Sequence, residues 1–229
     1  MCDEIGTLRR YIHRYGLAHI VFLDESHIRL SDHQITTIVP SNVEPIIDTK
    51  ISSSYGARYD CIACCSGVTV FPLNVFSPSE REKGITAEML LNTIRDYLAQ
   101  ALGAQDIYPI ILIVDRAKIH QPGNMLEVFH DWGCQELTQV ILMPTASGKR
   151  MSPLDNCLFA YWKEKVLDGP KLTVHNIRQR MNDAWDSITP ELLFANYKHC
   201  ALLRSNNVYV DCPYPSSHQH TIPSISCAS

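Results

Sequence analysis

Two apolar runs in this chain each deliver an aspartate: Ala18-His-Ile-Val-Phe-Leu-Asp24 and Tyr108-Pro-Ile-Ile-Leu-Ile-Val-Asp115. A third acid, Asp155, follows Ser152-Pro153-Leu154, where a helix is expected to begin. Buried parallel strands present polar ligands at their carboxyl ends. Two such strands side by side would hold Asp24 and Asp115 together, and a helix crossing that edge would add Asp155. Three carboxylates in one place repel each other unless a cation joins them. The natural cation for an all-oxygen donor set is Mg²⁺ or Mn²⁺.

Each acid also has a simpler account. A strand-ending aspartate commonly caps a turn through its own backbone. Ser152-Pro153-Leu154-Asp155 has the spacing of a helix N-cap through its third position, a capping box with Asp in place of Glu. That is enough to explain Asp155 in isolation. The recurrence of the same pattern on two similar apolar runs is what favours a shared site. Glu25 adjoins Asp24, but strand alternation points it to the opposite face, so it is left out of the metal set. His120 lies five residues after Asp115, in Asp115-Arg-Ala-Lys-Ile-His120. It reads equally as a surface-loop histidine or as a group beside the metals or DNA. Cys61-x-x-Cys64-Cys65 has no partner pair at ligand spacing, so zinc is not supported. The sequence lacks a phosphate-binding G-x-x-x-x-G-K-[ST] loop, a G-x-G-x-x-G turn and a G-x-S-x-G elbow.

The elements that must position these residues are legible in the periodicity. Residues 3–15 pattern as a short amphipathic helix, with Ile5, Leu8, Ile12 and Tyr15 on one side. A first strand follows over 18–24. Residues 33–57 read as a hairpin or irregular insertion, and 58–65 and 68–75 as two strands about Ser66-Gly67. Thr86 caps a helix to Leu102 that Gly103 ends. The second Asp-ended strand spans 108–115, a helix 122–132, and a short strand 138–143. Residues 144–150 form a polar loop, and helices follow over 152–167, 173–188 (Val174, Ile177, Met181, Ala184, Trp185 and Ile188 inward) and 190–197. From Asp211 Pro and Ser dominate, so a loose tail is expected. Three antiparallel-looking strands followed by helix–strand alternation predict an α/β fold, a mixed five-stranded sheet flanked by helices in the ribonuclease H-like arrangement. The divisions are 1–17 as N-terminal helix and linker, 18–205 as the ribonuclease H-like domain, and 206–229 as a loose tail.

Composition narrows the class. At 229 residues and 45% hydrophobic, the chain can bury one sizeable α/β core. No apolar run approaches the roughly 20 residues that span a bilayer, and acids stand where a secretory signal carries bases. An intracellular protein with no membrane partner is expected, nuclear in a eukaryote or in the cytoplasm and nucleoid of a bacterium. The nine cysteines form no regular framework and read mainly as small buried hydrophobes. A net charge of −4 does not by itself suggest a nucleic-acid binder, although a modest basic excess runs from Ser147 to Arg204.

Taken together, three blocks resemble a known family. Val21-Phe-Leu-Asp24-Glu-Ser26, then Leu112-Ile-Val-Asp115 with His120, then Met143-Pro144 through Ser152-Pro-Leu-Asp155-Asn156 and Trp162, are similar in order and context to the mariner-superfamily DDE/DDD transposases. Thr173–Ile188 and Asn196-Tyr-Lys-His-Cys200 resemble that family's closing segments. The likeness covers about residues 18–205. It implies that Asp24, Asp115 and Asp155 are catalytic and bind two Mg²⁺ or Mn²⁺ ions for phosphodiester hydrolysis and strand transfer. It implies that His120, Asn156 and Arg116 lie beside them or touch DNA, and that Lys149, Arg150, Lys163 and Lys165 contact phosphates. The partners implied are transposon-end and target DNA and a second copy of the chain in a synaptic complex.

The chain departs from the family pattern in several places. Arg116 stands where relatives commonly have Asn. The interval from Asp115 to Asp155 is 40 positions, longer than expected for the mariner branch. The loop Thr145-Ala-Ser-Gly-Lys-Arg has lost most of the family's prolines. No helix-turn-helix module precedes residue 18, which leaves a catalytic fragment or a domesticated copy as the expectation. The alternatives to a DNA strand transferase are a catalytically inactive module that binds DNA or protein, and a ribonuclease H-like nuclease acting on RNA or hybrids.

Overall fold

Side chains of a strand alternate between two faces, and here one long strand divides the interior in two. The computed structural model describes residues 2–32, 57–81, 84–105, 107–131, 138–144 and 148–203. Strand β1 (Ile20–Arg29) sends Ile20, Phe22 and Ile28 into one buried cluster and Val21 and Leu23 into the other. With β2 (Arg58–Cys65), β3 (Asn74–Phe76), β4 (Ile110–Val114) and β5 (Thr138–Leu142) it forms a five-stranded sheet in the order β3-β2-β1-β4-β5. The β1–β2 and β2–β3 pairs are antiparallel, and β1–β4 and β4–β5 are parallel. β4 is buried on both faces, which is why Ile-Ile-Leu-Ile-Val reads as a continuous apolar run.

Helices cover both faces. On one side lie α2 (Ala87–Thr93), a π-helical stretch (Ile94–Ala99) and α3 (Gln100–Ala104), which continue one another, together with α4 (Pro122–Asp131). They bury Leu90, Ile94, Leu98, Leu102, Met125 and Phe129 against Val21, Leu112 and Val114. On the other side lie α1 (Cys2–Tyr15), α5 (Gly148–Met151), a π-helical turn (Leu154–Leu158), α6 (Phe159–Leu167), α7 (Ile177–Asp186) and α8 (Pro190–His199). There Trp162 and Trp185 meet edge to face at 6.4 Å. Trp162 Nε1 donates to the Met181 carbonyl and Trp185 Nε1 to the Phe71 carbonyl, each at 2.9 Å. Each ring is thus buried without stranding its one polar atom. Tyr197 packs edge-on against Phe22 at 5.6 Å, and its hydroxyl donates to the carbonyls of Ile20 (2.9 Å) and Cys65 (3.3 Å). The last helix is thereby fastened to the two central strands.

Most element positions follow the sequence pattern, and the departures have local causes. β1 does not stop at Asp24. It runs on to Arg29 because β2 pairs with it along its whole length, from Phe22↔Cys65 to Arg29↔Arg58. Residues 17–19 form a 3₁₀ turn, so the strand begins at Ile20. The expected strand over 68–75 reduces to a bridge at Val70 and the short β3, with Pro72, which has no N–H to give a ladder, between them. Gly103 does not end its helix, which continues to Ala104. α7 begins at Ile177, so Val174 lies in the preceding turn and is 56% exposed rather than inward. Thr86 caps α2, accepting from Met89 N–H at 3.2 Å. No helix among the described residues is long and apolar enough to cross a membrane. Of the expected insertion over 33–57 all but Ala57, and the whole of the tail from 206, lie outside the described residues.

At the turn after β2, Gly67 N–H donates to the Leu17 carbonyl at 3.1 Å. A Cβ on Gly67 would stand 2.9 Å from Leu17 Cβ, too close for the chain to accept without moving. Gly67→Ala is expected to cost about 1–3 kcal/mol, read as a lower urea midpoint at an unchanged slope.

Candidate functional site

The site begins where two strands separate. β1 and β4 pair only through Ile20↔Ile111, Val21↔Leu112 and Phe22↔Ile113. Beyond that point β1 continues with β2 as its partner, while β4 ends at Val114. Asp24 lies on β1 just past the split, on the face of Ile20 and Phe22. Asp115 is the first residue beyond β4. The π-helical turn carrying Asp155 packs on β1 from that same face. Its start is held by Ser152, whose buried hydroxyl accepts from the Asp155 N–H at 3.3 Å. The cap leaves the carboxylate of Asp155 exposed.

These acids sense one another. Asp24 is 8% exposed, and Glu25 N–H donates to its Oδ1 at 2.8 Å. Burial first, then the charges of Asp155, Glu25 and Asp115, push its carboxyl up to about 8. Asp60 is the informative contrast. It is also buried, but Arg58 Nε lies 2.6 Å from one oxygen and Arg81 pairs with the other. Among the described residues Asp24 has no such cation. A buried carboxyl in that position either keeps its proton or acquires a positive neighbour.

Asp115 is held differently. Its Oδ1 accepts from Ala117 N–H at 2.8 Å and from His120 Nδ1 at 2.5 Å. His120 is 4% exposed, and its other nitrogen donates to Glu25 Oε1 at 2.8 Å. Two carboxylates at its two nitrogens require both to carry protons. Burial would depress this imidazole, but Glu25 and then Asp115 outweigh it and raise it to about 9. Glu25 does point to the face opposite Asp24, as alternation requires. Even so, it joins the site, because the loop after β4 carries His120 to that face. Nothing in the local spacing announces this contact, whose partners are 95 residues apart in sequence.

The other residues singled out by sequence fall at varied places. Arg116 is exposed, and its Nε donates to the Met143 carbonyl at 3.1 Å. The Asn156 amide donates to Cys200 Sγ at 3.5 Å, and burial pushes that thiol up to about 12. Lys163 is half-buried on α6; burial first, then the charges of Arg58 and Lys163, lower the His27 imidazole on β1. Lys165 lies 5.7 Å over the Tyr161 ring. Arg150 is exposed on α5, and the side chain of Lys149 lies outside the described residues. Cys61 and Cys65 face one core and Cys64 the other, and burial pushes all three thiols up.

The donor chemistry fits a hard divalent ion: oxygen ligands, mutual repulsion, and a raised carboxyl that a cation would relieve. The three acids are in electrostatic reach, yet among the described residues no three His, Cys, Asp or Glu side chains stand together as a ready-made metal cage.

The mixed sheet and its helical layers are those of a ribonuclease H-like catalytic domain. No protein-family model and no curated protein matches the sequence. Among solved structures, the mariner Mos1 paired-end complex with Mg aligns with a TM-score of 0.68 at 15% identity, over 87% of this chain and 58% of that one. The pre-cleavage Mos1 transpososome aligns with a TM-score of 0.67 at 13% identity, over the same 87% and 58%. The catalytic domain of Mos1 mariner transposase aligns with a TM-score of 0.60 at 13% identity, over 87% of this chain and 86% of that domain. The chain therefore has the fold of a mariner-type transposase catalytic domain, and spans a little over half the length of the transposase chains in those complexes.

A carboxyl raised from 3.8 in the unfolded chain to about 8 destabilises the metal-free fold as pH rises through that window, because the unfolded state ionises first. Asp24→Asn is expected to stabilise the metal-free protein by an amount that grows between about pH 4 and 8 and levels off above that window. Thermal melts across that range, with metal chelated, read it directly. A gain independent of pH would refute the repulsion.

Proposed function

We propose that the protein is a transposase-type DNA endonuclease and strand transferase of the mariner kind, with Asp24, Asp115 and Asp155 as its catalytic triad. The observation that carries this reading is the buried Asp24 just past the split between β1 and β4, raised to about 8 by burial and then by the charges of Asp155, Glu25 and Asp115. The structural neighbours, which include a Mos1 complex with a transposon end and forms with Mg or Mn, support DNA as the substrate and a divalent ion as the cofactor.

Two Mg²⁺ or Mn²⁺ ions held by the triad would supply Lewis acidity to the attacking and leaving oxygens of an in-line displacement at phosphorus. Asp24 contributes a carboxylate that ionises readily once positive charge arrives. Asp115 offers Oδ2, since its Oδ1 is already taken by Ala117 and His120. Asp155 contributes from a capped helix start that does not depend on its side chain. Lys149, Arg150, Lys163 and Lys165 would meet phosphates, which position DNA without reading its sequence. The first displacement releases a 3′-hydroxyl at an element end, and in the second that hydroxyl attacks target DNA. Two element ends and two active sites make a homodimer the expected working form.

The test is Mn²⁺-dependent nicking of supercoiled plasmid. Asp24→Ala, Asp115→Ala and Asp155→Ala are each expected to lower the rate about 100-fold or more while preserving the circular dichroism spectrum. Unchanged nicking in any one of them removes that residue from the triad. Salt-sensitive duplex binding without nicking in the wild type would identify the inactive, domesticated module instead. Arg116 next to Asp115 is the residue that favours that second reading. Preference for RNA or hybrid over DNA would point to a different ribonuclease H-like nuclease.

A further inference from the structure

Where the backbone pairing of β1 and β4 stops, side chains continue it. The last paired residues are Phe22 and Ile113. Three residues beyond Phe22, Glu25 Oε1 meets His120 Nε2 at 2.8 Å, and two residues beyond Ile113, Asp115 Oδ1 meets His120 Nδ1 at 2.5 Å. The ring of His120 is sealed in the interior, and its backbone N–H donates to the Ala117 carbonyl at 2.9 Å, so a tight turn fixes where it sits. Asp115, by contrast, follows a strand end, and its side chain is 46% exposed. Left alone, such a carboxylate would rotate. With Oδ1 receiving two donors, both of that oxygen's lone pairs are used. Only Oδ2 remains open to another ligand.

We propose that Glu25 is a positioning residue: acting through His120, it braces β1 against the loop after β4 and fixes which oxygen of Asp115 is presented to the metal site. Glu25 performs no step on substrate. Its carboxylate holds one ring nitrogen while Asp115 holds the other, so the imidazole is gripped at both ends and cannot turn. Removing Glu25 frees His120 to turn, and with it the free oxygen of Asp115. Second-layer groups of this kind ordinarily change metal affinity about 10–100-fold. The proposal rests on the reading of Asp115 as a metal ligand, but the brace itself exists without metal.

Two measurements on the full chain separate the two ideas. In metal-free protein, nitrogen–proton correlation spectra of the imidazole are expected to show two protected ring N–H protons for His120. Glu25→Ala should lose the one on Nε2, and Glu25→Gln, whose amide oxygen can still accept, should retain it. Absence of a protected Nε2–H in the wild type overturns the brace. The second measurement is Mn²⁺ titration calorimetry. Glu25→Ala and His120→Ala are each expected to weaken binding about 10-fold, and the double variant by the same factor, because both act along one chain of contacts. Losses that multiply to about 100-fold would make Glu25 act independently of His120 and overturn the proposal, as would wild-type affinity in Glu25→Ala. Wild-type affinity in Asp115→Asn, with the ring protons as expected, would sink the metal reading and leave the brace standing.

Discussion

The parting of β1 and β4 is the constraint from which the site follows. A parallel pair ends when one strand stops supplying backbone groups, and β4 stops at Val114 while β1 runs on to Arg29. The mismatch leaves the carboxyl end of the parallel pair unpaired, the place where α/β sheets bind their ligands. It also sets two aspartates at the same end of neighbouring strands, Asp24 within the β1–β2 ladder opposite Ala63 and Asp115 just past the end of β4. The antiparallel register with β2 keeps β1 straight beyond the split, so Asp24 is held by a strand and not by a loop. Rigid placement of that kind is what a site needs when its ligands repel each other.

The two buried aspartates on adjacent strands show how one fold treats like charges differently. Asp60 on β2 is neutralised by Arg58 and Arg81 and belongs to the architecture. Asp24 on β1 receives one backbone N–H and the fields of three other acids. The fold tolerates this because its stability is secured elsewhere, in the Trp162–Trp185 pair and in the apolar faces of β1 and β4. Strain kept at one place and compensated at another is the usual condition of a functional site.

Much of this frame could be read from residue order. The apolar runs located β1 and β4, Thr86 located the start of α2, and Ser152-Pro153 located the turn that carries Asp155. These are local signals, carried by periodicity and caps. What could not be read depends on distant partners. Glu25-Ser26-His27 has no apolar pattern, so the second half of β1 is invisible until β2 is laid beside it. Alternation gave the correct face for Glu25, but the face alone did not reveal that a loop 95 residues away would bring His120 to it. Val174 kept the spacing of a helical stripe while lying in a turn, because period alone does not fix where a helix begins.

The hydroxyl of Tyr197 reaches back 177 residues to the Ile20 carbonyl. Chains are made from the amino end, so β1 emerges early and waits for almost everything else before its face is closed. β4 and β5 arrive in between, and α6 to α8 last. The sheet therefore cannot be finished piecemeal during synthesis, and contacts of such long sequence separation are slow to form. Until α8 docks, Phe22 lacks its edge-on partner and the Ile20 carbonyl its hydroxyl donor, so the closing of the β1 face waits on the last helix described.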